Sequence, residues 1–471
     1  MSRPVRITVS DPNQNRRLTM EFSTESIKQM ANILVREMER LDKVEGSIRD
    51  LETSMREMMR AVGAEALGQI LERSDQRQVP ERTRPCACGG TMTYQFRRDA
   101  VILSVFGRVR YRRRYYTCSA CHRGQAPLDQ QLGLEAGEVT AGLAELLALA
   151  GVEVAFEEAS RLVERYLLFR VSDNTLRKET ERFGALQQAQ EEQWKQQSQD
   201  EEWLQQRLRR MGKLPGRLYG SLDGVMAPLR GEWRELKNIA WYRVEPVRSY
   251  QERRHHASCV GEQPGLQAQD ITYYCDIQPV EQFDELFWAT ACQRNADLYE
   301  ELVFVCDGAA WIWKLIERHF PQAVQIVDWY HASEYLPAVA EAAFGRDTPE
   351  YQAWLQQART LLWEGQIDEL IDDCRLLASH PVAAQAVQAA VTYFTNNRRR
   401  MDYARFRQQG YFIGSGTVES AGKQITTLRL KRAGARWTEI GAVQTAKARA
   451  AWLSGAWEQL ATARAALPLA T

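Results

Sequence analysis

The sequence has no net charge to speak of. Lys+Arg and Asp+Glu each number 61 in 471 residues, which at first sight excludes a chain that sticks to polyanions by bulk charge. It also has no long apolar run. The longest, Ala141 to Phe156, is broken by Glu145 and Glu153, too short and too charged to span a bilayer. The start, MSRPVRITVSDPNQNRR, is polar and lacks the apolar core of a secretory signal. Nine cysteines, an odd number, do not make a paired disulfide framework. A cytosolic, reducing setting is therefore expected, where clustered Cys read as metal ligands.

The balance of charge hides a segregation. Residues 81–125 carry ten Arg against Glu81 and Asp99, and residues 394–436 carry ten Lys or Arg against Asp402 and Glu419. Each block is near +8 (10 − 2), so the remainder is near −16. Two concentrated basic zones on a neutral chain imply a polyanion held at defined places. At 471 residues several cores are expected.

Residues 1–79 form the first expected unit, a helical and possibly dimerising segment. Ile27, Leu34, Leu41, Ile48, Met55 and Val62 recur every seven residues, with Met30, Val44, Leu51 and Met58 three further on and Glu37 as the one break. That spacing suits a coiled-coil dimer. It equally suits a helix hairpin within one chain bent near Gly46, given the extra apolar Ile33, Met38 and Met59.

Residues 80–130 hold two cysteine knuckles, Cys86-Ala87-Cys88-Gly89-Gly90 and Cys118-Ser119-Ala120-Cys121. Four thiolates in two tight pairs suit one structural tetrahedral Zn²⁺, and the glycines let amides turn toward sulfur. The first pair is Cys-x-Cys, and the neighbouring His122 is an alternative ligand. Between the knuckles the sequence alternates as strands, which puts Arg108, Arg110, Arg112 and Arg114 on one face as a guanidinium row that fits phosphates, or else a solvated edge strand. Residues 131–213 then read as short helices, with Ser172-Asp173 capping the third of a helix-turn-helix-like trio, a Gln/Glu-rich linker helix from about Ala185 to Arg210, and a boundary at Leu214-Pro215-Gly216.

From Arg217 the order is β-β-β-α-β-α-β, the order of an RNase H-like α/β core, here over residues 214–332. In that order the first and fourth strands lie side by side and deliver two acids to the sheet centre. Asp223, before Gly224, and Asp307, closing the apolar run Leu302 to Val305 and followed by Gly308, fall on those strands. A polar loop with Arg253, Arg254, His255 and His256 joins the second strand to the third. Residues 333–410 turn helical, as an insertion. Residues 411–471 supply Gly414-Ser415-Gly416 and a helix bearing Glu419, the candidate third acid, with Lys423 one turn on. The fold class is thus multidomain α+β and α/β: a helical or coiled-coil segment, a zinc ribbon, a small helical domain, and an RNase H-like core with an all-helical insertion.

Asp223-Gly224, Phe304 to Ile312 (FVCDGAAWI), Asp328-Trp329-Tyr330-His331, Gly414 to Ser420 (GSGTVES) and Lys431 to Trp437 (KRAGARW) together resemble the signature of bacterial insertion-sequence DDE transposases, in particular the ISKra family. The resemblance covers about residues 80–450. It implies DNA transposition, with transposon ends and target as double-stranded DNA partners, an oligomer of two or more chains on DNA, and a cytoplasmic, nucleoid-associated location. It makes Asp328 and His331 accessory residues at the mouth of the insertion. The chemistry is consistent with it. Three adjacent carboxylates select hard cations, two Mg²⁺ or Mn²⁺ ions, for in-line attack on a phosphodiester. Lys423, Arg429, Lys431, Arg432 and Arg436 are then expected as phosphate clamps. The alternatives are a structure-specific nuclease that stops after hydrolysis, and a zinc-ribbon DNA-binding regulator with no catalysis.

Overall fold

The computed structural model describes residues 5–10, 17–22, 24–41, 46–77, 81–133, 139–246, 265–379, 382–414 and 416–466. Val44, the loop residues Arg253, Arg254, His255 and His256, and Ser415 lie outside them. The fold is mixed α and β in two compact units, Met1–Thr180 with Gln459–Thr471, and Glu181–Glu458. No helix among the described residues is long and apolar enough to cross a membrane.

In the first unit strands β1 (Val5–Ser10) and β2 (Arg17–Phe22) pair antiparallel. The heptad run that follows is not one helix. It divides into Thr24–Leu41 and Ile48–Arg77, because Gly46-Ser47 starts a new helix: Asp50 Oδ2 accepts from the Ser47 N–H (2.8 Å) and hydroxyl (2.7 Å). Gln69 in the second helix donates to Gln29 in the first at 2.8 Å, the hairpin alternative rather than a continuous rod. The second helix is then used inside the chain. Leu71 packs with Ala100, Ile102, Val109, Tyr111 and Leu128, while Glu72 and Asp75 accept from the backbone N–H groups of Arg112 and Arg114.

Those residues belong to an antiparallel sheet of β3 (Thr83–Pro85), β4 (Thr91–Ser104), β5 (Gly107–Cys118) and β6 (Gly124–Gln125), in that order. Three helices complete the unit, Ala141–Glu153, Phe156–Leu167 and the start of Asp173–Gln199. They close on Leu143, Leu147, Ala159, Val163 and Leu176, and Ser172 Oγ caps the third by accepting from Thr175 N–H at 3.2 Å. Here the structure corrects the sequence reading. The third helix does not stop at Gly184 but runs to Gln199, and Asp200 caps a separate helix, Glu201–Met211. Gly184 marks a close approach, not a terminus, since a Cβ there would meet the Gln444 carbonyl oxygen at 1.8 Å.

The second unit is organised by a sheet in the order β11-β10-β7-β8-β9. Its strands are β7 (Leu214–Pro228), β8 (Trp233–Pro246), β9 (Leu266–Asp276), β10 (Tyr299–Cys306) and β11 (Val324–Val327). Helices Val280–Gln293 and Ala310–His319 join the last three. The fourth strand of the unit therefore lies beside the first, in parallel, with the fifth beyond it. The second half of β10 is continuous apolar sequence because it is buried: Val303, Phe304, Val305 and Cys306 are all fully enclosed, whereas Glu300 at its start is exposed. Phe304 meets Trp241 and Phe287, ring centroids 5.7 and 5.9 Å away.

Two boundaries differ from expectation. β7 begins at Leu214 and not at Arg217, so Leu214-Pro215-Gly216 are its first residues, where Gly216 (φ +83°) takes the left-handed conformation a bulge against β10 requires. Nor does β7 end at Asp223-Gly224. It continues to Pro228 because it pairs with β8 through Pro228↔Trp233, so Asp223 stands mid-strand. After β11 come helices from Trp329–Ser333 to Tyr403–Gln408, then Gly416–Ala421 running into a π-helical segment, Gly422–Leu430, then Glu439–Leu453.

Candidate metal centre and carboxylate site

The thiols converge from two tight turns. Gly89 N–H donates to the Cys86 carbonyl and Cys86 N–H to the Gly90 carbonyl, both at 2.9 Å, with Gly89 at φ +83°. On the other knuckle Cys118 N–H donates to the Arg123 carbonyl (2.9 Å) and His122 N–H to the Cys118 carbonyl (3.0 Å). The result brings Cys86 Sγ to 3.6 Å from Cys121 Sγ, and Cys88 Sγ to 3.7 Å from Cys118 Sγ, with all four within 4.8 Å of one another. A tetrahedron with metal–sulfur bonds of about 2.3 Å has edges of about 3.8 Å, so the donor set fits a zinc-like ion. The Cys118 thiol is lowered to about 6, chiefly by the Cys121 backbone N–H, which favours the thiolate a metal needs. His122 is not in the group.

The acids come from far apart in sequence. Phe304 pairs with Gly220 on parallel strands, so three residues further along each stand Asp307 and Asp223. Over Asp223 crosses the helix of Glu419: a Cβ on Gly422, one turn after Glu419, would lie 3.2 Å from Asp223 Oδ2 and 2.7 Å from Val225 Cγ2. Only glycine lets that helix come so close. Burial, then the Asp307 charge, and more weakly Glu419, raise Asp223 to about 6, against the opposing pull of Gly224 N–H and His331. Asp223 therefore feels both other carboxylates. They are looser than the thiols, which among the described residues are the group whose donor atoms all lie within 4.8 Å. Glu419 is exposed, while Asp223 and Asp307 are half-buried.

Asp307 is held by its surroundings. Its Oδ1 accepts from Ala309 N–H (2.9 Å) and its carbonyl from the Tyr393 hydroxyl (2.7 Å). Gly308 takes φ +98° beneath Tyr393, where a Cβ would be 2.9 Å from that hydroxyl. Asp328 has a different environment. It is fully buried, its backbone N–H donates to the Cys306 carbonyl (2.8 Å), and its Oδ1 accepts from His331 N–H (2.9 Å) as the cap of Trp329–Ser333. His331 lies between, 3.6 Å from Glu334 on one side and acting on Asp223 on the other. Two residues at this site escaped sequence reasoning: Gly422, whose signal was a glycine one turn beyond Glu419, and Tyr393, for which an insertion helix offered no local signal.

The basic residues divide. On β5, Arg108, Arg110 and Arg112 are exposed on one face and Arg114 is half-buried. Arg114 donates from its guanidinium to the Asp75 carbonyl at 2.8 Å, and Arg112 pairs with Asp99 at 3.1 Å. Arg113, facing inward, pairs with buried Asp129 at 2.9 Å. Near the C-terminus Lys423, Arg432 and Arg436 are exposed and Lys431 is half-buried near Trp233. Arg429 is a correction. It is 1% exposed, its guanidinium 5.1 Å from the Trp437 ring centre, and burial with neighbouring Arg449 and Arg432 lowers it to about 9. Seven residues after Gly422 and four after Ile425, both buried, it lies on the inward face of the segment, so it is a core residue and not a surface clamp.

Among known families, the one described as an uncharacterised protein family (UPF0236) matches residues 42–208. That stretch holds the second long helix, the thiol centre and the helical trio, and stops short of Asp223, Asp307 and Glu419. No curated protein matches the chain.

Proposed function

We propose that the chain cuts and joins DNA as a DDE transposase, with Asp223, Asp307 and Glu419 as its acids and the ISKra insertion-sequence enzymes as its kin. The observation that carries this reading is the meeting of Asp223 and Asp307 on neighbouring parallel strands beneath the Glu419 helix, close enough for their charges to raise Asp223 to about 6. The strand order, with the fourth strand beside the first and an all-helical stretch following the fifth, is that of an RNase H-like core with an insertion.

Three such carboxylates fit two Mg²⁺ or Mn²⁺ ions, which when bound activate a water or 3′-hydroxyl and stabilise the leaving oxygen. The chain's own residues do the rest. Asp223 is ionised above pH 6, so the donor set is complete at neutral pH and loses a ligand in acid. The glycines Gly308 and Gly422 keep the floor low beside Asp307 and Asp223. Tyr393 fixes the Asp307 backbone, and Asp328 with His331 sets the start of the insertion.

The thiol centre holds one structural Zn²⁺ in a ribbon whose Arg108, Arg110 and Arg112 face solvent as phosphate contacts. The helical trio adds a helix-turn-helix-like DNA-binding element, and two or more chains act together on the DNA ends. The test is a gel on which linear fragments ending in candidate terminal repeats are incubated with protein and Mg²⁺ or Mn²⁺. Metal-dependent nicks at the repeat boundary together with joined products support transposition. Nicks without joining would make it a nuclease, and intact DNA under both metals would overturn the enzymatic reading.

A further inference from the structure

A cleft of about 850 Å³ opens beside Gly308, the residue after Asp307. One wall is the Ala310–His319 helix, presenting Ala310, Trp313, Lys314 and Glu317. The other is the Ala384–Asn397 helix, presenting Gln385, Gln388, Thr392 and Asn396. These last four are exposed and fall at intervals of three, four and four residues, a single helix face. It is a face of uncharged hydrogen-bonding groups, with Gln388 Nε2 on Thr392 Oγ1 at 3.0 Å. Tyr335 and Tyr393 also border the cleft, stacked on each other with ring centroids 4.2 Å apart. Trp313 completes it, 4% exposed, its indole N–H without an acceptor among the described residues.

A second cleft of about 700 Å³ adjoins the first through Glu317, Asn396 and Arg400. Its far end is lined by Arg398, Arg399 and Arg405. Arg400 is committed inward, to Glu317 and Gln325 at 2.7 Å each and over the Trp313 ring at 4.4 Å. Arg398 pairs with Asp368, and Arg405 with Asp402 at 3.3 Å, while Arg399 is exposed. A groove thus leads away from Asp307, first between amide and aromatic groups, then among guanidinium groups.

We propose that this groove seats unpaired nucleotides of the DNA strand running from the carboxylate site. Bases lie against the Gln385–Asn396 face and the outer faces of the tyrosine pair, and phosphates reach Lys314 and then Arg399 and Arg405. Amides supply both donors and acceptors for base edges, aromatic rings supply stacking, and guanidinium groups supply sequence-independent phosphate contacts. An uncharged wall next to the acids also suits a polyanion leaving them, because it adds no repulsion there. The volume is in the range of ligand clefts (roughly 300–1,000 Å³), enough for a few bases and not for a duplex. This assignment rests on the DNA-cutting reading of the acids.

The test uses the full chain without added divalent cation, so that binding is read apart from cleavage. Fluorescence anisotropy would be measured with a labelled oligo(dT) strand and, separately, with a labelled duplex. Gln388→Ala/Asn396→Ala, and independently Ala389→Trp, which fills the cleft from an exposed position, are expected to weaken strand binding about tenfold and duplex binding less than about twofold. Arg399→Ala/Arg405→Ala is expected to lower the salt slope for the strand by about 1.4, two phosphate contacts at about 0.7 each. Wild-type strand affinity in both cleft variants, or equal loss for strand and duplex, overturns the groove assignment. Strand binding that depends on the cleft, in a protein that never cuts DNA with Mg²⁺ or Mn²⁺, keeps the groove and removes the transposase reading.

Discussion

The thiol centre and the carboxylate site solve one problem, bringing like-charged ligands together, in opposite ways. The four sulfurs stand on two short turns, each closed by its own backbone hydrogen bonds, and converge to within 4.8 Å. The three acids stand on two strands and a helix separated by 84 and 112 positions (307 − 223 and 419 − 307), and only the tertiary fold relates them. Burial, and after it the charges of Asp307 and Glu419, raise Asp223. A group built from local turns depends on those turns alone; one built across a sheet depends on the whole core.

Breaking the thiol side is expected to have the largest effect. In small thiolate sites metal binding is folding free energy, on the order of 10 kcal/mol. Cys118→Ser should lose the zinc, read by elemental analysis as a fall from one ion per chain to none. Hydrogen exchange in Thr91–Ser104 and Gly107–Cys118 should rise, with Leu214–Pro228 unchanged. Retained metal and protection would show that the ribbon does not need its ion.

On the acid side the sign is reversed, because removing a ligand should stabilise. Asp223 holds its proton more tightly folded, at about 6, than unfolded, at about 3.9. Its contribution is therefore full below pH 4 and is lost as pH rises through 6. Asp223→Asn should be more stable than wild type by about 2 kcal/mol at pH 8, and no more stable at pH 4, in urea melts without divalent cation. Equal stability at both pH values would mean that burial and the neighbouring acids do not raise Asp223.

Gly422→Ala probes how the helix is seated. The added Cβ, 2.7 Å from Val225 Cγ2, should cost about 1–3 kcal/mol and lift Glu419 away from Asp223. Thermal melts read the first effect, and a fall in the Asp223 pKa by NMR titration reads the second. The smallest effect is expected on the thiol unit's surface: Arg108→Ala or Arg110→Ala should lower the salt slope of duplex binding by about 0.9 each, with zinc content unchanged.

What was legible in the sequence follows the same division. The cysteine spacing disclosed its centre because the ligands are near neighbours on turns marked by Gly89 and Gly90. The strand order that brings Asp223 and Asp307 together was legible because the apolar run Leu302 to Val305 in β10 leads directly to Asp307-Gly308. The extent of β7 was not, since Pro215, Gly216 and Gly224 read as breakers until pairing with β8 and β10 accommodates them. The heptads spoke for helix packing but could not say whether the partner was a second chain or the same one. Gly46-Ser47 and the hydrogen bonds to Asp50 decide the local path. Arg429 misled because it was read by residue type as one of a basic cluster, although it follows buried Val418 by eleven residues, about three helical turns, and so shares its inward face.

If the chain cuts DNA as proposed, Asp307 and Asp328 should respond differently to loss of their charge. Asp307 lies beside Asp223, whereas Asp328 is buried as a helix cap, a role an Asn oxygen also fills. In a cleavage and strand-transfer gel with Mg²⁺, Asp307→Asn is expected to abolish both products while end binding persists, and Asp328→Asn to lower them only partly. A dead Asp328→Asn beside an active Asp307→Asn would contradict the account and move the second ligand to the neighbouring strand.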